Sequence, residues 1–347
     1  MKHLTVLMAG VLLCACSSKQ TCRISGDVDN ASGMVYLFDA QRNVIDSTAL
    51  ADRCFEFAHD VVFPANVYVA NGPDLKNAEV SVAVFAEAGE IRIKSDGDEW
   101  YAAGTPSNDA KRRLSEKLDS LLEIYYSDSI DDATRERIDA EYDAANRSAL
   151  DDNLDNLFGL SLFNEVSYGL DGEQSVELLN SFSDGMKVTD RWKTLMELAQ
   201  KKLAVSVGKP YIDFVQKNTE GNDVSLESVV EKEGNRYVLL DFWASWCGPC
   251  MGEVPFLCEA YETYRDKGFE IFGSSLDRNG ADWTGAIQKH SMNWIHVSDL
   301  QYWDNAAAAM YAVRSIPANF LIDCATGTIV AVNLRGNVLM EKLSELL

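Results

Sequence analysis

The run Tyr237-Val238-Leu239-Leu240-Asp241-Phe242-Trp243 carries a single acid in an otherwise apolar stretch. Such a run suits a central strand covered on both faces, not a strand with one wet side. It leads straight into Trp246-Cys247-Gly248-Pro249-Cys250, and a helix is predicted over Pro249–Tyr264. Two cysteines three apart at the start of a helix are close enough to close a small disulfide ring. The first thiol also lies where unpaired backbone N–H groups and the positive helix end stabilise an anion. Thiols in such motifs have pKa values lowered to roughly 3.5–7.5, so a usable thiolate exists at neutral pH. Cys247 is therefore expected to attack and Cys250 to resolve the mixed disulfide. Pro249 suits the first helical turn, where its missing N–H costs little.

Two blander readings compete. A zinc knuckle needs four ligands. There is no second Cys-x-x-Cys, and His290 and His296 lie far along the chain, so no metal is expected. A purely structural ring of this size closes too short a loop to stabilise much. Downstream, Phe269–Ser274 reads as a strand, and Asp282–Lys289 and Ala306–Tyr311 read as helices. Ala318–Ile322 and Thr328–Val332 read as a closing strand pair around Thr326-Gly327, and Glu341–Leu347 as a last helix. Alternating strands and helices predict a layered α/β domain over 206–347.

Over 207–347 the chain resembles the thioredoxin superfamily, and within it the TlpA/ResA-like envelope thiol–disulfide oxidoreductases. The resemblance rests on Val238 through Cys250, on Glu253-Val254-Pro255, on Gly273-Ser274-Ser275-Leu276-Asp277, and on Ile316-Pro317-Ala318-Asn319-Phe320-Leu321-Ile322-Asp323. It implies roles for three further residues. Asp241 matches a buried acid that exchanges a proton with Cys250 during resolution; burial raises such a pKa. Glu253 matches an acid beside the active-site thiols that tunes their ionisation. Pro317 matches a cis-proline shaping the groove where an extended substrate pairs with backbone beside Ile316. Trp246 would shield the site edge and Trp243 would pack below it. Ala318 departs from the Thr often found there, which bears on substrate fit. The structural alternatives are a strand-edge acid for Asp241, a solvated acid for Glu253, a trans turn proline, and core aromatics.

The rest of the chain is less specific. Over 22–105, short β-rich runs (Val35–Phe38, Phe55–Phe57, Asn66–Ala70, Val80–Phe85, Glu90–Lys94) alternate with turn residues. They predict a small antiparallel sandwich or barrel, similar to the β-rich domains that precede thioredoxin-like domains in bacterial lipoproteins. Over 106–205, Leu114, Leu118, Leu121, Leu122 and Tyr125 repeat at helical spacing, as do Ile138, Tyr142, Ala145 and Ala149. Further helices are predicted over 155–168, 173–183 and 188–204. The expected fold is thus an α/β thioredoxin fold preceded by a small antiparallel β-sandwich domain and a helical insert. The insert's apolar stripes read as internal packing, with a homodimer seam as the alternative.

The first sixteen residues have a basic start, the apolar run Leu4–Leu13, and Leu13-Cys14-Ala15-Cys16. This describes a secretory signal too short to span a membrane as a helix. It resembles a lipobox, which places a lipidated cysteine at Cys16. Export to an oxidising compartment leaves six thiols, of which Cys22 and Cys54 are a candidate structural pair. Cys258 and Cys324 read as packing thiols. The net charge of −23 is spread along the chain and repels phosphate backbones, so nucleic acid is an unlikely partner class.

The leading expectation is a periplasm-facing, lipid-anchored reductase of exported cysteine-containing proteins. Gly248-Pro249 between the cysteines resembles reducing thioredoxins. No cofactor beyond the Cys247–Cys250 disulfide is implied. The partner implied is a membrane thiol-relay electron donor, and Ser17 after Cys16 favours outer-membrane sorting. Two alternatives stand. One is a thioredoxin-like peroxidase, disfavoured because Leu240 and Ala244 stand where its Pro-x-x-x-Thr-x-x-Cys pattern needs Pro and Thr. The other is an envelope binding or scaffold protein with a vestigial redox domain.

Overall fold

The structure is a computed structural model that describes residues 21–29, 31, 33–57, 64–127 and 130–347. The signal and lipobox expectations, Cys16 included, lie outside the described residues. The chain divides into two compact units, one ending at Val166 and one beginning at Ser167. The helical stretch 106–205 is therefore shared, three helices going to each unit.

Among the described residues of the first unit, eight strands form two four-stranded sheets. They are β1 (Cys22–Asp27), β2 (Met34–Phe38), β3 (Val44–Ala49), β4 (Cys54–Glu56), β5 (Ala65–Ala70), β6 (Ser81–Ala86), β7 (Gly89–Asp96) and β8 (Glu99–Ala103). One sheet runs β4-β1-β7-β8 and the other β3-β2-β5-β6. Alternation drives the packing: Ile24, Ile91, Ile93 and Trp100 from one sheet share a core with Val35, Leu37, Val67, Val69 and Val84 from the other. All pairings are antiparallel except β1 with β7, which is parallel. Helices α1 (Pro106–Tyr125), α2 (Asp132–Asp151) and α3 (Leu157–Val166) pack on one another. Asn108 pins α1 to β6, accepting from the Phe85 N–H at 3.0 Å and donating to its carbonyl at 2.8 Å. The candidate Cys22–Cys54 bond is corrected here. Both thiols are free. Cys54 pairs across from Asp27, at the opposite end of β1 from Cys22, so strand pairing itself holds the two sulfurs apart.

The second unit opens with α4 (Gly172–Asn180), α5 (Asp184–Lys187) and α6 (Asp190–Ala204). Helix α6 starts two residues after the 188 that the sequence pattern gives, and the short α5 before it falls between the two helices predicted over 173–183 and 188–204. The α/β part follows as β9 (Val215–Asn218), β10 (Asp223–Ser225), α7 (Leu226–Val230), β11 (Tyr237–Trp243), α8 (Gly248–Tyr264), β12 (Phe269–Ser275), α9 (Gly280–Lys289) and β13 (Ile295–Ser298). It closes with α10 (Ala306–Met310), β14 (Ala318–Asp323), β15 (Thr328–Val332) and α11 (Asn337–Leu346). The seven-stranded sheet has the order β10-β9-β13-β12-β11-β14-β15. Strand β11 lies between β12, parallel to it, and β14, antiparallel to it. From Val238 to Trp243 every residue of β11 is buried, as a strand covered on both faces requires. This mixed sheet with flanking helices is a thioredoxin fold, and it brings the end of β11 to the head of α8.

Candidate active site

Cys247 is the N-cap of α8, with extended backbone (φ −85°, ψ 98°) and Pro249 in the first turn. Its sulfur accepts a hydrogen bond from the Cys250 backbone N–H at 3.2 Å. A side chain at this position satisfies one of the N–H groups that a helix start leaves unpaired. The same N–H and the helix dipole stabilise a thiolate there once the pair is reduced. Cys247 and Cys250 are disulfide-bonded, their Cα atoms 5.2 Å apart. Cys247 keeps 5% of its surface open and Cys250 3%, so the ring is nearly covered. Its exposed flanks are Trp246, Gly248 and Pro249. The Ile316 carbonyl oxygen lies 3.7 Å from the Cys247 sulfur, and the Ile316–Pro317 bond is cis. Ile316 and Pro317 are half-buried.

Behind the disulfide is a small cavity with room for roughly one water molecule. Asp241, Cys250, Glu253, Pro317, Asn319 and Arg335 line it, with Trp243, Val254, Leu257 and Met292 as its apolar wall. The structure thus gathers Cys250, Asp241, Glu253 and Pro317 around one space. Asp241 sits in β11 opposite Gly273 on β12 and Asn319 on β14, and only 3% of it is exposed. Burial pushes its carboxyl up to about 7, against the pull of the Arg335 charge and with a push from Glu253. Glu253 is half-buried and is tied elsewhere too: its Oε2 accepts the Gly336 N–H at 2.8 Å.

Trp246 does not stand alone at the edge. Its ring centroid is 5.0 Å from that of Tyr302 and 6.1 Å from that of Trp303. The Arg278 guanidinium lies 4.1 Å over the Tyr302 ring. The loop that carries Trp246 is fixed by Ser245, which donates its N–H (3.0 Å) and hydroxyl (2.5 Å) to the buried Asp277. Below, Trp243 packs against His296 at 5.5 Å. Gly273 permits this approach, since a Cβ there would stand 3.0 Å from His296 Nδ1 and 3.1 Å from Trp243 Nε1. Burial lowers the His296 pKa to about 4 and keeps the ring neutral. Sequence pattern gives no site role to Arg335, Tyr302 or Trp303, and weighs His296 only as a metal ligand. The other thiols of this unit are poor nucleophiles: burial raises the Cys258 pKa and pushes Cys324 up to about 11.

Residues 207–332 match the AhpC/TSA family, and residues 22–110 match a domain of unknown function, DUF4369. The thiol-disulfide oxidoreductase ResA of Geobacillus thermodenitrificans (strain NG80-2) is 32% identical over 123 residues, covering 35% of this chain and 67% of that protein. The chain belongs to the ResA-like thiol–disulfide oxidoreductases. ResA of Bacillus anthracis is 29% identical over 122 residues, which are 35% of this chain and 66% of that protein. A solved thiol-disulfide oxidoreductase from Bacteroides fragilis NCTC 9343 is 35% identical, covers 40% of this chain and 100% of its own, and has a TM-score of 0.37. All these oxidoreductase matches cover less than half of the chain, and the 22–110 match carries no activity in its description. Among the described residues no helix is long and apolar enough to cross a membrane.

The buried acid of this oxidoreductase gives a pH-dependent stability. The folded Asp241 carboxyl holds its proton up to about pH 7, well above the ordinary aspartate value of 3.8. Its contribution is complete below about pH 4 and is lost as pH rises through 7. Asp241→Asn is expected to raise stability at pH 8 by at most on the order of 4 kcal/mol and to change it little at pH 4. Urea unfolding of the oxidised protein at the two pH values checks this. An equal effect at both would place the carboxyl in a wet, ordinary environment.

Proposed function

We propose that this oxidoreductase is a periplasm-facing reductase of disulfides in exported proteins. It is held to the membrane by lipid on Cys16 and re-reduced by a membrane thiol-relay electron donor. The observation that carries the reading is the Cys247–Cys250 disulfide at the head of α8, with the Asp241 carboxyl in the cavity behind Cys250. The redox group is the cysteine pair itself.

In the reduced enzyme the Cys247 thiolate attacks one sulfur of a substrate disulfide. The substrate S–S bond breaks, and its electron pair leaves on the other substrate sulfur, which takes a proton. Cys250 then loses its proton to the Asp241 carboxylate and attacks the Cys247 sulfur. The bond from Cys247 to substrate breaks, and the second substrate sulfur departs and is protonated. The enzyme ends as the disulfide and the substrate as a dithiol. An extended substrate segment lies along Ile316 and Pro317, whose backbone faces the Cys247 sulfur. Trp246, backed by Tyr302 and Trp303, forms the far wall, so a large apolar side chain beside the substrate cysteine is accommodated there.

Cys247→Ser is expected to reduce dithiothreitol-driven reduction of a protein disulfide to the uncatalysed rate. Cys250→Ser keeps the first attack and accumulates a mixed disulfide, visible as a mass adduct. Normal turnover by Cys247→Ser would end this reading. The direction of electron flow is tested by the reduction potential of the pair in a thiol redox buffer. A value near about −270 mV fits a reductase, and one near about −120 mV reverses the assignment.

A further inference from the structure

Arg335 is the cationic side chain among the described residues lining the cavity, and no part of the cysteine motif assigns it a task. It follows β15 and precedes Gly336, whose φ of +50° turns the chain into α11. Its guanidinium is held as a fork. Nη1 donates to the Leu334 carbonyl at 2.9 Å, and Nη2 donates to the carbonyl of Pro317. The Leu334 carbonyl is itself held, accepting from Asn319 Nδ2 at 2.9 Å, while the Leu334 N–H donates to Asn319 Oδ1 at 2.8 Å. Asn319 is the strand partner of Asp241. The next N–H along, that of Gly336, holds Glu253. One dipeptide therefore reaches the substrate groove through its guanidinium and the second acid through its main chain.

We propose that Arg335 is a positioning residue of the disulfide chemistry: its one guanidinium both braces the Pro317 carbonyl at the groove wall and supplies the counter-charge to Asp241 in the cavity that both line. Among the described residues, the groups facing Asp241 are few. Helix α8 presents Cys250 and Glu253, β14 presents the uncharged Asn319, and β12 presents Gly273. Strand β13 behind carries His296, which is neutral near pH 7. Glu253 opposes ionisation of Asp241 and Arg335 favours it. In the resolving step the Cys250 proton must find an ionised Asp241. Loss of the guanidinium leaves two carboxyls in one cavity with no counter-charge, so Asp241 takes a proton earlier and accepts fewer from Cys250. A lysine would supply the charge without the planar fork that reaches two carbonyls at once.

This inference rests on the proposed Cys247/Cys250 cycle, so Cys247→Ser is the control. Turnover by that variant would sink the cycle itself, whereas an inactive control beside an unaltered Arg335 variant sinks only the inference. The reduced full chain is oxidised by a short cystine-containing peptide between pH 5 and 9, followed by tryptophan fluorescence and mass detection of the mixed disulfide. Arg335→Met is expected to move the acid-side midpoint of the resolving step up by about one pH unit, a roughly tenfold slower step below it, and to weaken half-saturation by peptide several-fold. Arg335→Lys is expected to keep the midpoint and lose only the half-saturation. A wild-type midpoint and wild-type half-saturation in Arg335→Met would overturn the proposal. Should Arg335→Met lack the wild-type circular dichroism, Arg335→Lys decides: unchanged half-saturation overturns the proposal, and weakened half-saturation with an unmoved midpoint supports it.

Discussion

The hydrogen bond from the Cys250 N–H to the Cys247 sulfur is the contact on which the site depends. It exists because α8 begins at that residue, with a proline in its first turn and no other side chain to cap it. A helix that began one turn later would leave the sulfur in a loop without an aligned N–H. The start of α8 is fixed from below by β11, the strand flanked by β12 and β14 in the seven-stranded sheet. Each fully buried aliphatic side chain there contributes about 1.5–3 kcal/mol, so the apolar run that sets the strand also sets the sulfur.

The same strand creates the electrostatic problem that the proposed chemistry uses. Placing Asp241 among apolar neighbours makes its charge costly, and its proton is held to about pH 7 as a result. Burial alone would hold the proton more tightly, and the Glu253 charge adds to that effect. Arg335 works against both from the loop after β15. The acid is thereby poised near the pH at which a proton acceptor is useful. His296 has the opposite sign in the same unit: burial keeps it neutral down to about pH 4, so the folded state loses stability as pH falls below the ordinary histidine value.

Sequence pattern made the α/β domain legible because its strongest signals are local. The apolar run of β11, the Cys-x-x-Cys and the helix after it all lie within thirty residues. Asp241, Glu253 and Pro317 are found in one cavity with Cys250. Arg335 was hidden because its partners are remote in sequence: the Pro317 carbonyl it holds is eighteen positions back, and Asp241, with which it shares the cavity, lies on β11. Tyr302 and Trp303 were hidden by a short turn, Tyr302–Asp304, in which Tyr302 has a φ of +58°. In the first unit β1 was not read as a strand: Arg23, Ser25, Gly26 and Asp27 have low strand preference, and its inward positions Cys22 and Ile24 are too few to show a period. Its parallel pairing with β7 joins residues some sixty-seven positions apart, which turn chemistry does not announce. Strands β9, β10 and β13, of four, three and four residues, are too short to show a period.

The account stands on Cys247 being an ionised, reachable nucleophile when the pair is reduced. The direct measurement is the pH dependence of iodoacetamide labelling of the reduced full chain, with peptide mapping to separate position 247 from Cys250 and the exposed Cys54. Labelling at position 247 with a midpoint below about 7.5, ahead of Cys250, is the predicted result. A midpoint at or above about 8.5, or preferential labelling of Cys250, would contradict it.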